Sequence, residues 1–151
     1  MENEIKRAVG LLVIEVVNSN PNGDPDRESD PRQRENGLGE ISPVSFKRKI
    51  RDLIDEHDAP FFAALPECYT SQKDRYQILE HRGRDRKKII AEMGKDPKHF
   101  LESAFVHNYW DARVFGNTFL EDGNDKEFIK TGVVQFGMGL SLAPVNILRQ
   151  T

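Results

Sequence analysis

Val133-Val-Gln-Phe-Gly-Met-Gly-Leu-Ser-Leu142 is the stretch from which the fold is read. Val134, Phe136, Met138, Leu140 and Leu142 alternate with Gln135, Gly137, Gly139 and Ser141. Period-two alternation of apolar and non-apolar residues specifies a β-strand, because successive side chains leave opposite faces of the sheet. The second face carries only glycine, serine and glutamine. Glycines inside a strand weaken it and often mark the close approach of a ligand or of another backbone. A polynucleotide lying across the sheet and a covering segment of protein are both compatible with such a face.

Outward from this strand, the rest of the chain reads as mixed α and β. Arg7 to Val17 is aliphatic and β-branched almost throughout, which predicts a strand buried on both faces. Residues 18–40 are rich in Asn, Asp, Pro, Gly and Arg and predict a long loop or mobile insertion. Ser42-Pro43 then supplies an N-cap and a first-turn proline, and Phe46, Ile50, Leu53 and Ile54 fall on one helical face. Arg48 and Asp52 are spaced to pair on that helix. Residues 59–82 give no clear period. Phe61 and Phe62 are candidates to cap the core, and Gln77 to Glu80 for a short strand. Arg84 to Met93 predicts a basic helix stopped by Gly94. Asp96-Pro97 opens another, with Phe100, Leu101, Ala104 and Phe105 as its apolar stripe. The fold class is α+β, with residues 1–151 forming one domain.

Composition narrows the function. The chain has 151 residues, of which 31% are charged, and a net charge of -3. With a pI near 5.8 it is not a uniformly basic nucleic-acid coat. Charge is uneven, however. Lys47 to Arg51 carries four cations and no acid, and His81 to Lys98 carries seven cations against three acids. The longest apolar run is too short to span a bilayer and lacks a signal-peptide cleavage site, so the expected compartment is the cytoplasm. One cysteine excludes an intrachain disulfide and a cysteine-only zinc site.

Few residues suggest catalysis. No Ser/His/Asp or Cys/His arrangement, Walker loop or dinucleotide fingerprint is present. Asp24, Asp26, Glu28, Asp30 and Glu35 follow a calcium-loop register, but Ser29 stands where the obligatory glycine belongs. Asp24 and Asp26 remain candidates for metal-assisted phosphodiester cleavage, the alternative to a purely binding role. His57, His81, His99 and His107 form no recognised metal pair, and neither a metal nor another cofactor is expected. The loop Asn18-Ser-Asn-Pro-Asn-Gly-Asp-Pro-Asp26 can turn sharply and present backbone amides to phosphate. Phe46-Lys-Arg-Lys-Ile-Arg51 sets cations beside an apolar stripe, which lets a helix pack on a core and still touch a phosphate backbone.

Three segments in order carry a resemblance. They are Asn18 to Asp26 after a first strand, Phe46-Lys-Arg-Lys-Ile-Arg-Asp52 in the first helix, and Asp111-Ala-Arg-Val-Phe-Gly116 ahead of Thr131-Gly-Val-Val-Gln135. Together they resemble the CRISPR-associated "Cas seven" proteins, the backbone subunits of type I Cascade complexes, with subtypes I-B and I-C the most similar. The resemblance implies an RNA-recognition-motif-like (ferredoxin-like) core with long insertions. Family members are longer, so it also implies that roughly the C-terminal half lies beyond this sequence. It implies a non-enzymatic subunit whose copies stack along a guide RNA, with target DNA read through the guide and with other Cascade subunits as partners. Carried over, Asn20, Asn22 and Gly23 lie in the loop near the guide. Lys47, Arg48 and Arg51 supply phosphate contacts, and Arg113 sits beside the sheet. Gln135 and Ser141, which come from the strand argument alone, face the RNA. An RNA-cleaving relative, as in type III complexes, and a protein–protein scaffold without RNA contact are the competing functions.

Overall fold

The structure, a computed structural model, describes residues 6–81, 83–117, 128 and 130–148. It divides into two compact units, Met1–Glu40 with Ser141–Thr151, and Ile41–Leu140. Helices and short strands together make it an α+β protein.

In the first unit, residues 18–40 form a ladder rather than a loose excursion. The Arg32 amide donates to the Asn22 carbonyl and the Asp24 amide to that of Asp30. The chain then doubles back, with the Glu40 amide donating to Arg32 and the Arg34 amide to Leu38. Gly37 closes this second turn at φ +79°, a conformation that favours glycine. Arg34 pairs with Glu40 across it. Strand β1 (Leu38–Ile41) and strand β4 (Gly139–Pro144) form a two-stranded sheet.

Two strand expectations are corrected here. Arg7 to Val17 forms no strand, and its aliphatic side chains are exposed, not buried. A strand needs a ladder partner for its amides and carbonyls, and among the described residues this segment has none. The predicted strand 133–142 is regular only from Gly139 onward. Residues 133–138 have no ladder pairing, and the Val134 amide donates to the Val114 carbonyl. Its two faces also exchange roles. Ser141 turns to β1, while Leu142 is fully exposed. A Cβ at Gly139 would lie 3.3 Å from that of Ile41, so this glycine permits close approach of a neighbouring strand.

The second unit is mostly helical. Helix α1 (Pro43–Asp55) begins where the sequence places it, with the Ser42 hydroxyl accepting from the Ser45 amide at 3.1 Å. Helices α2 (Pro60–Ala63) and α3 (Glu67–Thr70) fill the stretch whose period is unclear. There Phe62 is buried while Phe61 is exposed. Helix α4 (Arg86–Met93) is capped by Asp85 and stopped at Gly94, φ +76°. The single helix expected after Asp96 breaks in two. A 3₁₀ turn over Pro97–Glu102 ends at Ser103, which then caps helix α5 (Ala104–Asn108). The Ser103 hydroxyl donates back to the Phe100 carbonyl and accepts from the Val106 amide, so one side chain serves both ends of the break.

Leu79, Ile89, Met93, Phe100, Phe105, Tyr109, Ala112 and Phe128 make the core of this unit. Helix α6 (Trp110–Phe115) leads into strand β2 (Gly116–Asn117), which pairs antiparallel with strand β3 (Lys130–Thr131). The buried Asn117 side chain ties this ribbon by donating to the Phe128 carbonyl and accepting from the Lys130 amide, both at 3.0 Å.

Candidate nucleic-acid interface

Within the second unit, helix α1 and the end of helix α6 build a cationic, aromatic face. The Phe46 and Phe136 rings meet edge to face at 4.7 Å, and Phe115 lies 6.1 Å from Phe136. Lys47 and Arg51, one helical turn apart, both approach the Phe115 ring, at 5.3 and 5.1 Å from its centroid. An aromatic face attracts cations, by roughly 0.5–2 kcal/mol depending on hydration. Because Phe136 turns inward, Gln135 and Gly137 are left exposed on either side of it. A Cβ at Gly137 would meet nothing, so the backbone there is open.

The two cations differ in environment. The Arg51 side chain is 13% exposed, and its Nε donates to Asp111 Oδ2 at 2.8 Å. Asp111, 1% exposed, is the hub of the unit. Its Oδ1 accepts from the Leu79 amide at 2.7 Å and its Oδ2 from the Glu80 amide at 3.3 Å. This explains why Gln77 to Glu80 is not a strand. Beyond a single bridge from Gln77 to Tyr109, a carboxylate takes the amides that a neighbouring strand would. Lys47 pairs with no carboxylate among the described residues. Arg48 is more exposed, pairs with Asp52 at 2.8 Å and donates to the Glu80 carbonyl.

Arg113 sits on α6 but is turned to the protein. Its guanidinium donates to the carbonyls of Val106, His107 and Arg75. Burial, and then the nearby charge of Arg75, lower its pKa from the ordinary arginine range. Nearby, burial and then a hydrogen bond with Glu92 raise the Tyr109 phenol, which stays protonated.

The remaining sequence-selected residues lie in the first unit, and their polar groups are largely used within it. Asn20 Nδ2 donates to the Ser29 carbonyl at 2.7 Å, and Asn20 Oδ1 accepts from the Asn22 amide. Asn22 is buried, and a Cβ at Gly23 would lie 3.0 Å from the Ser29 carbonyl oxygen. Asp24 caps the short 3₁₀ turn Pro25–Arg27 through the Asp26 amide. The Ser141 hydroxyl accepts from the Gly39 amide and donates to the Ala143 carbonyl. Among the described residues no three His, Cys, Asp or Glu side chains gather as a metal site, and no helix is long and apolar enough to cross a membrane.

Asp111 and Phe115 lie in the Asp111 to Gly116 segment, where the sequence alone gives neither a role. The available signal was an acid at the head of an aromatic segment, sixty residues from an arginine on an apolar helix face.

Comparison with known proteins agrees with the ordered motifs. The family described as CRISPR-associated protein Cas7 matches residues 6–151. A CRISPR-associated protein Cas7 from Haloferax volcanii is 28% identical over 126 residues, which cover 82% of this chain and 35% of the relative. The chain thus spans about a third of the length of the curated relative it matches. With a family match running over nearly all of its residues, the chain belongs to the CRISPR-associated Cas7 family.

Proposed function

We propose that this chain is part of a guide-RNA-binding backbone subunit of a type I CRISPR Cascade complex, acting in antiviral defence in the cytoplasm. The observation that carries this proposal is the pairing of Lys47 and Arg51 over Phe115 beside the exposed Gln135 to Gly137 backbone. Such a face offers cations to phosphates and an open backbone segment to a ribose-phosphate chain, with no base-reading device required. Sequence is then read by pairing between guide and target DNA.

In this proposal Lys47 is the principal phosphate contact and Arg48 a peripheral one. Arg51 contributes through the edge of its guanidinium, held by Asp111. The complete subunit has an RNA-recognition-motif-like core, copies stack head to tail along the guide, and other Cascade subunits join the ends. A heterologous surface of that kind builds an open filament.

The chain itself catalyses no reaction in this proposal. Incubation with complementary RNA and magnesium is expected to leave the RNA intact. Cleavage that disappears in Asp24→Ala would contradict it. Recovery of RNA of uniform length with the purified protein supports the guide-binding role, and nucleic-acid-free protein that also fails to bind added RNA opposes it.

A further inference from the structure

Two Asn-Gly pairs, Asn22-Gly23 and Asn36-Gly37, lie in the ladder of residues 18–40. Asn-Gly is prone to lose its side-chain amide, because glycine puts no Cβ in the way of its own backbone nitrogen. That nitrogen loses its proton and attacks the asparagine Cγ, and the side-chain nitrogen leaves as ammonia. Water then opens the five-membered imide at either of its two C–N bonds, giving aspartate or isoaspartate. The exchange consumes one water, releases one ammonia and needs no oxidant or cofactor.

The fold gives the two pairs opposite surroundings. Asn36 is exposed in the second turn, and its Oδ1 accepts from the Leu38 amide at 3.2 Å. An N–H aimed at that oxygen stabilises the negative charge it gains when Cγ is attacked, as an oxyanion donor does. The Gly37 amide donates to the Arg34 carbonyl at 2.9 Å, and this bond must open before attack. In an exposed turn such opening costs little. Asn22, by contrast, is 9% exposed. Its own amide donates to Asn20 Oδ1, and its carbonyl accepts from the Arg32 amide at 2.9 Å. Its Nδ2 donates to the Gly23 carbonyl at 3.1 Å, and the Asp24 amide just beyond is bound to the Asp30 carbonyl. Turning the Gly23 nitrogen onto Asn22 Cγ means breaking several of these bonds together and admitting water to a buried amide.

We propose that Asn36 is a site of spontaneous deamidation and that the ladder protects Asn22 from the same reaction. Conversion at Asn36 adds a carboxylate beside Glu35, in the turn across which Arg34 pairs with Glu40. Isoaspartate also lengthens the main chain by one methylene inside the loop that the Arg34 amide closes on the Leu38 carbonyl. The turn is thus a mark of age on the chain, which becomes more negative by one charge at a fixed residue.

Peptide mapping by mass spectrometry tests it on the 151-residue chain. The protein is aged at mildly alkaline pH in heavy-oxygen water, so that the label marks conversion before digestion. Asn36 is expected to convert more than about tenfold faster than Asn22, the ratio that follows from two or more additional hydrogen bonds to break. In urea, where neither asparagine is held, the two rates are expected to converge. Conversion of Asn22 as fast as Asn36 in the folded chain overturns the proposal. So does an Asn36 that keeps its amide over a time in which the urea-unfolded chain loses it. A ratio that urea leaves unchanged overturns it as well, since the sequence neighbours and not the fold would then set the two rates.

Discussion

The Arg51 guanidinium and the Asp111 carboxylate meet at 2.8 Å although 60 residues separate them in sequence. This contact links helix α1 to helix α6, and through the Leu79 and Glu80 amides it fixes the segment between them. It also neutralises one of two cations that would otherwise repel one another across Phe115.

Removing either partner should therefore be costly in unequal measure. Asp111→Ala strands a largely buried guanidinium and two backbone amides. A loss of about 3–5 kcal/mol is expected in urea unfolding. Asp111→Asn keeps an acceptor for the Leu79 amide and should lose less. Equal loss for the two variants, or less than about 1 kcal/mol for Asp111→Ala, would show that Asp111 is not the hub.

The β2–β3 ribbon sets a second expectation. Gly116 has φ +84°, and a Cβ there would lie 2.6 Å from both the Gly132 amide nitrogen and the Lys130 carbonyl oxygen. A Cβ at Gly132 would collide with the Phe115 backbone. Gly132→Ala should thus displace the Phe115 ring and destabilise by more than about 2 kcal/mol, whereas Gly137→Ala, facing open space, should change stability by less than about 1 kcal/mol. Thermal unfolding of the pair checks this, and matching melting temperatures would contradict it.

Arg113 separates a structural arginine from a phosphate ligand. Its donors already bind three carbonyls. Arg113→Ala is expected to cost about 2 kcal/mol, the scale of hydrogen bonds from a charged donor. It should leave the salt dependence of RNA binding unchanged. A variant of native stability with a shallower salt slope would place Arg113 among the phosphate contacts instead.

Asp96 carries a pH signature. Its carboxylate accepts from the Lys98 amide and then from His99, and these hold its pKa below the ordinary 3.8. A group with a depressed folded pKa contributes stability above its unfolded value and loses it as pH falls through the folded one. The stability difference between the wild-type chain and Asp96→Ala should accordingly shrink below pH 3.8. Carboxyl titration by NMR checks the sign, and a midpoint at or above 3.8 would contradict it.

Local signals were legible in the sequence where a residue and its immediate neighbours decide the outcome. Ser42-Pro43 opens α1, Gly94 stops α4, and Arg48 pairs with Asp52. What depends on distant partners was not legible. Arg7 to Val17 has strand composition but lacks a ladder partner among the described residues. Ser103 divides a helix because its hydroxyl competes for both ends, which an apolar stripe does not reveal. The candidate interface was partly readable. The cations of α1 stand in the sequence as Lys47, Arg48 and Arg51, but the ion pair that sets Arg51 apart from Lys47 depends on Asp111, whose position only the fold supplies.

The central claim is that helix α1 presents a phosphate-binding face, and the salt dependence of single-stranded RNA binding, compared between the wild-type chain and Lys47→Glu, tests it most directly. The wild-type chain should bind less tightly as salt rises. Lys47→Glu should bind more weakly with a log–log slope shallower by about 0.7, the loss of one phosphate contact on a single strand, while melting at the wild-type temperature. Identical slopes and affinities for the two proteins would contradict the claim.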